Sequence, residues 1–174
     1  TNTFASGFIG SDPTGTISFP GSGSASMQAS YFVDGLTSIT GGGTLSIEAP
    51  ATTRRYFQGS GGALQLSSPF TMTKTGTLSC GTISGFSTFE VALGATLTID
   101  SANSTPVLDS IELLNNGTIN YTATTVSGNY LKTAAALITN NGLFDIKTDQ
   151  PIKETASIIG SALPRKKAAA SHSR

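Results

Sequence analysis

"LLNNGTINYT" (residues 113–122) and "ITNNGLFDI" (residues 138–146) repeat one local pattern. In each, an Asn-Asn-Gly corner leads into an alternation of apolar and polar residues, Ile119-Asn120-Tyr121 in the first and Phe144-Asp145-Ile146 in the second. Successive side chains of a strand point to opposite sides, so period-two alternation reads as a short strand with one buried face. Asn and Gly tolerate left-handed backbone, which suits them to a corner.

The same motif recurs on both sides of this pair. Gly15-Thr16-Ile17-Ser18-Phe19, Gly43-Thr44-Leu45-Ser46-Ile47, Gly62-Ala63-Leu64-Gln65-Leu66 and Gly76-Thr77-Leu78-Ser79-Cys80 fit it, and Gly94-Ala95-Thr96-Leu97-Thr98-Ile99 fits with one inserted residue. The expected buried set is Leu45/Ile47, Leu64/Leu66, Leu78/Cys80, Leu97/Ile99, Ile119/Tyr121 and Phe144/Ile146. The opposite set, Ser46, Gln65, Ser79, Thr98, Asn120 and Asp145, is polar throughout.

First buried positions at 17, 45, 64, 78, 97, 119 and 144 are spaced as the coils of a solenoid would space them. Gly81-Thr82-Ile83-Ser84 follows the Leu64 copy closely enough for two strands of one coil to obey the motif. The expected fold is all-β, a right-handed parallel β-helix of roughly seven coils spaced about 4.8 Å apart. Residues 1–150 form the repeat domain, with 151–174 as a C-terminal cap or a disordered basic tail. A β-sandwich is the other architecture compatible with alternation alone. "YLKTAAALITN" at 130–140 reads as strand or extended loop, while "KETASIIGSAL" at 153–163 carries better helix chemistry, ended early by Gly160 and Pro164.

Composition narrows the function classes. Of 174 residues only 11% are charged, the net charge is zero, and there are 20 Gly, one Cys, one His and no Trp. Arg165, Lys166, Lys167 and Arg174 crowd the last segment and leave a mildly acidic body, so no nucleic-acid footprint is present. No apolar run approaches a membrane-spanning length. The start, "TNTFASGF", lacks Met and reads as a chain whose leader was removed or as a piece of something longer. A lone Cys80 makes no internal disulfide and is expected as a small core residue.

From about residue 70 to 150 the chain resembles large repetitive bacterial surface or secreted proteins built as parallel β-helices, of the kind found in autotransporter passengers and adhesins. The carrying pieces are "GATLTI", "LLNNGTINYT" and "TNNGLFDI", in that order. The resemblance implies an extracellular or cell-surface location, adjoining repeats of a longer chain, and a cell-surface glycan or protein as partner. Where another coil would follow, "QPIKETASIIGSALPRKK" departs from it.

The function expected is a structural or adhesive repeat segment without catalysis. The alternative is a polysaccharide-acting enzyme or a calcium-dependent glycan-binding module on the same scaffold. That alternative would use Asp100 and Asp145 as outward carboxylates sharing a Ca2+ ion. Asp109 and Glu112 lie with Asp100 at one corner and Asp149 near Asp145 at another. Tyr31, Tyr56 and Tyr130 fall outside the motif and are the candidate platforms for stacking a sugar; Arg54 and Arg55 read as a loop beside Tyr56. His172 stands third from the end of the sequence, where nothing holds an imidazole for a Ser-His-Asp arrangement. The column Ser, Gln, Ser, Thr, Asn, Asp is too irregular for an ice-binding face, although Thr71, Thr73, Thr75 and Thr77 alternate in "TMTKTGT".

Overall fold

The computed structural model describes residues 2–4, 10, 12–59, 61–101, 104–122, 129–159 and 165–166. The expectations for Gly160, Pro164, Lys167, His172 and Arg174 lie outside those residues. Among the described residues every regular element is a strand and every strand pairing is parallel, giving a β-solenoid of about seven turns.

Each full turn contributes three strand segments to three ladders. Face 1 stacks residues 16–19, 36–39, 55–58, 75–78, 96–100, 118–122, 143–146 and 165–166. Face 2 stacks 2–4, 24–27, 44–47, 63–66, 82–85, 107–109, 131–134 and 152–154. Face 3 stacks 31–33, 51–53, 70–72, 88–91, 112–115, 136–140 and 156–159. The equivalent positions Ile17, Thr37, Tyr56, Gly76, Leu97, Ile119 and Phe144 on face 1 give turns of 20, 19, 20, 21, 22 and 25 residues.

The motif therefore spans two faces. Ile17, Leu97, Ile119 and Phe144 line face 1, whereas Leu45, Leu64 and Ile83 line face 2, which is why the spacing of motif copies was uneven. Both strands of one coil obey it, as the Gly81 copy implied. All these inward residues belong to one hydrophobic core. Face 3 supplies the column Tyr31, Ala51, Phe70, Phe89, Leu113 and Ile138 to the same interior. The rings of Phe70 and Phe89 stack at 5.4 Å, and Tyr56 meets both edge-on at 5.8 and 5.4 Å. Each buried side chain of this size contributes about 1.5–3 kcal/mol.

At Gly43, Gly62, Gly117 and Gly142 glycine opens the motif because rungs approach closely at the corners. A Cβ on Gly142 would run into the carbonyl oxygen of Gly117, one turn earlier. At the two Asn-Asn-Gly corners the expected left-handed backbone is not the reason, since neither Gly117 nor Gly142 has positive φ; Gly81 and Gly94, which open other copies of the motif, do adopt it, at 81° and 79°. In each Asn-Asn-Gly corner the first Asn points inward and the second outward, so Asn115 and Asn140 are fully buried. Asn115 Nδ2 donates to Asn140 Oδ1 at 2.6 Å and to the Leu143 carbonyl at 2.9 Å, while Asn115 Oδ1 accepts from Gly117 N at 3.1 Å.

Two further expectations change. Cys80 is half-buried at a corner and its thiol donates to Ser104 Oγ at 3.1 Å, so it is not a core residue. Of the segment 153–163 read for helix chemistry, residues up to 159 lie in a strand, Ile152–Ile159, paired with 131–139, because a ladder of open backbone groups outweighs weak local propensity. Parallel pairing continues beyond residue 150, and Arg165–Lys166 pair with Asp145–Ile146.

Candidate functional site

The three tyrosines do not form a sugar platform. Tyr31 is 1% exposed and Tyr56 2% exposed; both rings pack in the core. The face 3 and face 1 segments of their turns run as one bent strand, so residues outside the Gly motif still alternate inward. Each hydroxyl is satisfied internally: Tyr31 shares a hydrogen bond of 2.9 Å with Thr37 Oγ1, and Tyr56 donates to Gln58 Oε1. Tyr130 is half-buried, and the Lys153 ammonium sits 4.2 Å from its ring centroid, covering one face.

Nor do Asp100 and Asp145 converge. Asp145 stacks on Asn120 and Thr98, whereas Asp100 stacks on Thr122, so the two stand two rungs and two positions apart. With rungs about 4.8 Å apart and a rise of about 3.3 Å per residue, their Cα atoms are separated by roughly 12 Å. Asp145 is instead paired with Lys147 at 3.4 Å, and no group of three or more His, Cys, Asp or Glu suited to a metal ion occurs among the described residues. Arg54 and Arg55 lie on a strand and not in a loop. Arg54 Nη1 reaches Asp34 Oδ1 at 3.3 Å, and Arg55 Nη2 donates to the Pro13 carbonyl at 3.3 Å.

The surface with the most organised chemistry is the outside of face 3. Glu90 accepts from Thr71 Oγ1 at 3.1 Å on the rung before it and from Asn116 Nδ2 at 2.8 Å on the rung after it. Asn116 Oδ1 in turn accepts from Asn141 Nδ2 at 3.0 Å. Glu112 is held the same way, by Thr88 Oγ1 at 3.0 Å and Thr139 Oγ1 at 2.7 Å. Two half-buried carboxylates on neighbouring rungs are thus fixed by uncharged donors, and each keeps lone pairs directed away from those donors.

Two apolar side chains bracket this strip. Phe86, in the turn entering the 88–91 strand, is 97% exposed, and Leu93, in the turn leaving it, is 87% exposed. A single rung therefore presents an aromatic, a fixed carboxylate and an aliphatic side chain in line. Sequence reading missed Glu90 because face 3 strands do not begin with glycine. Their alternation was nevertheless visible in Phe70/Met72, Phe89/Val91 and Leu113/Asn115.

No family model, curated protein or solved structure matches the chain. Among the described residues no helix is long and apolar enough to cross a membrane.

Proposed function

We propose that this chain is a structural and adhesive segment of an extracellular or cell-surface β-solenoid protein. It works as a stiff, sparsely charged rod that spaces adjoining repeats and offers the outside of face 3 to a cell-surface glycan or protein. The observation that carries this reading is the pair Phe86 and Leu93, almost wholly exposed at the two ends of one strand with Glu90 fixed between them. Large apolar side chains held in water beside a fixed carboxylate are the groups that a partner would cover to advantage.

The rod itself supports the reading. Every buried side-chain nitrogen or oxygen among the described residues has a hydrogen-bond partner, and the apolar columns share one interior. Such a ladder resists local opening and so keeps a displayed patch in fixed geometry.

Beads coated with the folded chain test it on a panel of cells and immobilised glycans. Wild-type beads are expected to adhere at least tenfold better than beads carrying Phe86→Ser with Leu93→Ser. Equal retention of the two, or wild-type retention no better than albumin-coated beads, would remove the adhesive assignment. Surface proteolysis of the native host, with antibody against this segment, reads its location separately.

A further inference from the structure

The Asn-Gly corners carry chemistry that the adhesive reading does not use. When glycine follows asparagine, its backbone nitrogen can attack the side-chain amide carbon with little steric hindrance. A bond forms from that nitrogen to Cγ, the Cγ–Nδ2 bond breaks, and ammonia leaves with the proton given up by the glycine N–H. Water then opens the cyclic imide to aspartate or isoaspartate. Overall one amide and one water become one carboxylic acid and one ammonia, with no oxidant or reductant.

Asn116-Gly117 and Asn141-Gly142 occupy the same corner on successive rungs. In both, the attacking nitrogen is held in a hydrogen bond. Gly117 N donates to Asn115 Oδ1 at 3.1 Å, and Gly142 N donates to the Asn115 carbonyl at 3.0 Å. Reaction therefore requires the corner to open. The side chains differ: Asn116 is half-buried and tied at both ends, its Nδ2 to Glu90 and its Oδ1 to Asn141. Asn141 is exposed and tied at one end only, through Nδ2 to Asn116.

We propose that these corners form an ordered self-deamidation site in which Asn141 converts first and its conversion releases Asn116 for the second event. The order follows from donors. A carboxylate at 141 has no N–H to give Asn116 Oδ1, so the first reaction removes one of the two tethers on Asn116. The second reaction places a carboxylate against Glu90 where an amide donor stood, and like charges then face each other on the outer strip of face 3. The rod would thus record its age from residue 141 toward the adhesive strip.

Peptide mapping by mass spectrometry, with an isoaspartate-specific methyltransferase readout, tests this on the full chain aged in mildly alkaline buffer. In concentrated urea the two asparagines are expected to convert at similar rates. In the folded chain both should slow by about tenfold or more, as local opening demands, with Asn141 ahead of Asn116. Asn141→Ala, an exposed change, should accelerate folded-state conversion of Asn116 several-fold and leave its rate in urea unchanged. Conversion of Asn116 first, or an unchanged folded-state rate for Asn116 in Asn141→Ala, overturns the proposal.

Discussion

Asn115 and Asn140 face each other across one rung spacing inside the solenoid, with Asn115 Nδ2 2.6 Å from Asn140 Oδ1. The pair closes a corner where backbone groups would otherwise lie buried without partners. Asn115→Ala removes the acceptor for Gly117 N and the donor for both Asn140 Oδ1 and the Leu143 carbonyl. Gly117 N and the Leu143 carbonyl each lose this partner at about 1–3 kcal/mol, and a loss of about 3 kcal/mol in all is expected. Asn116→Ala, one residue on and half-buried, leaves Glu90 free to turn to water and should cost under about 1 kcal/mol. Urea unfolding of the two variants separates them; similar midpoints would mean that the inward pair is not what holds the corner.

Gly42 and Gly43 make a comparable contrast at the corner between face 1 and face 2. A Cβ on Gly42 would meet nothing within 4 Å, whereas one on Gly43 would strike the carbonyl oxygen of Gly23 on the preceding rung. Gly43→Ala forces the rungs apart locally and is expected to cost about 1–3 kcal/mol. Gly42→Ala restricts only the unfolded chain and should be neutral or stabilising by up to about 1 kcal/mol. Thermal melts of the two single variants decide it, and a destabilised Gly42→Ala would contradict the open corner.

The contrast between these glycines also shows how far the sequence was legible. Alternation after Gly43, Gly62, Gly117 and Gly142 predicted inward and outward sets correctly for faces 1 and 2, because strand geometry leaves a half-buried segment no other choice. It could not say which copies share a face, since corner lengths vary and Leu78 occupies the second inward position, not the first. Face 3 was opaque for a different reason: its strands enter without glycine, so Tyr31 looked free of the core it occupies, as did Tyr56 on the face 1 continuation of such a strand. Glu90 and Glu112 became a strip only once the register set Thr71, Asn116 and Thr139 beside them, a relation between residues about 19 to 27 apart that one strand's periodicity does not contain.

Burial of Tyr31 predicts an alkaline limit to stability. Its phenol is pushed up to about 12 by loss of hydration, a shift that the hydrogen bond with Thr37 partly offsets. Tyr56 moves the same way, through burial first and then the nearby Tyr31. Between the unfolded value near 10 and the folded value, the unfolded chain has lost a proton that the folded chain keeps. Stability contributed by Tyr31 is therefore complete below pH about 10 and falls as pH rises toward about 12, by about 3 kcal/mol for a two-unit shift. Urea midpoints measured across that range, with tyrosinate absorbance of the folded chain, check both the sign and the group. A midpoint unchanged up to pH about 11.5 would show that the buried phenols do not govern alkaline unfolding.

Ser110 and Ala135 stack at the same corner between faces 2 and 3, and both adopt left-handed backbone, with φ of 53° and 50°. One rung earlier the same column holds Gly85, also at positive φ. Positive φ thus persists at this corner, at 125° in Gly85 and near 50° in the two later residues, while the glycine does not. A left-handed alanine costs about 1–2 kcal/mol relative to glycine in the folded chain. Glycine's freedom in the unfolded chain takes back about 0.4–1 kcal/mol. Ala135→Gly is expected to stabilise the solenoid by about 0.5–1 kcal/mol, the difference between those terms. Gly85→Ala should do the reverse and more, because its Cβ would also strike the Leu66 carbonyl oxygen. Denaturation of both variants tests the column as a unit, and a loss of stability in Ala135→Gly would mean that its methyl group contributes more than its backbone angle costs.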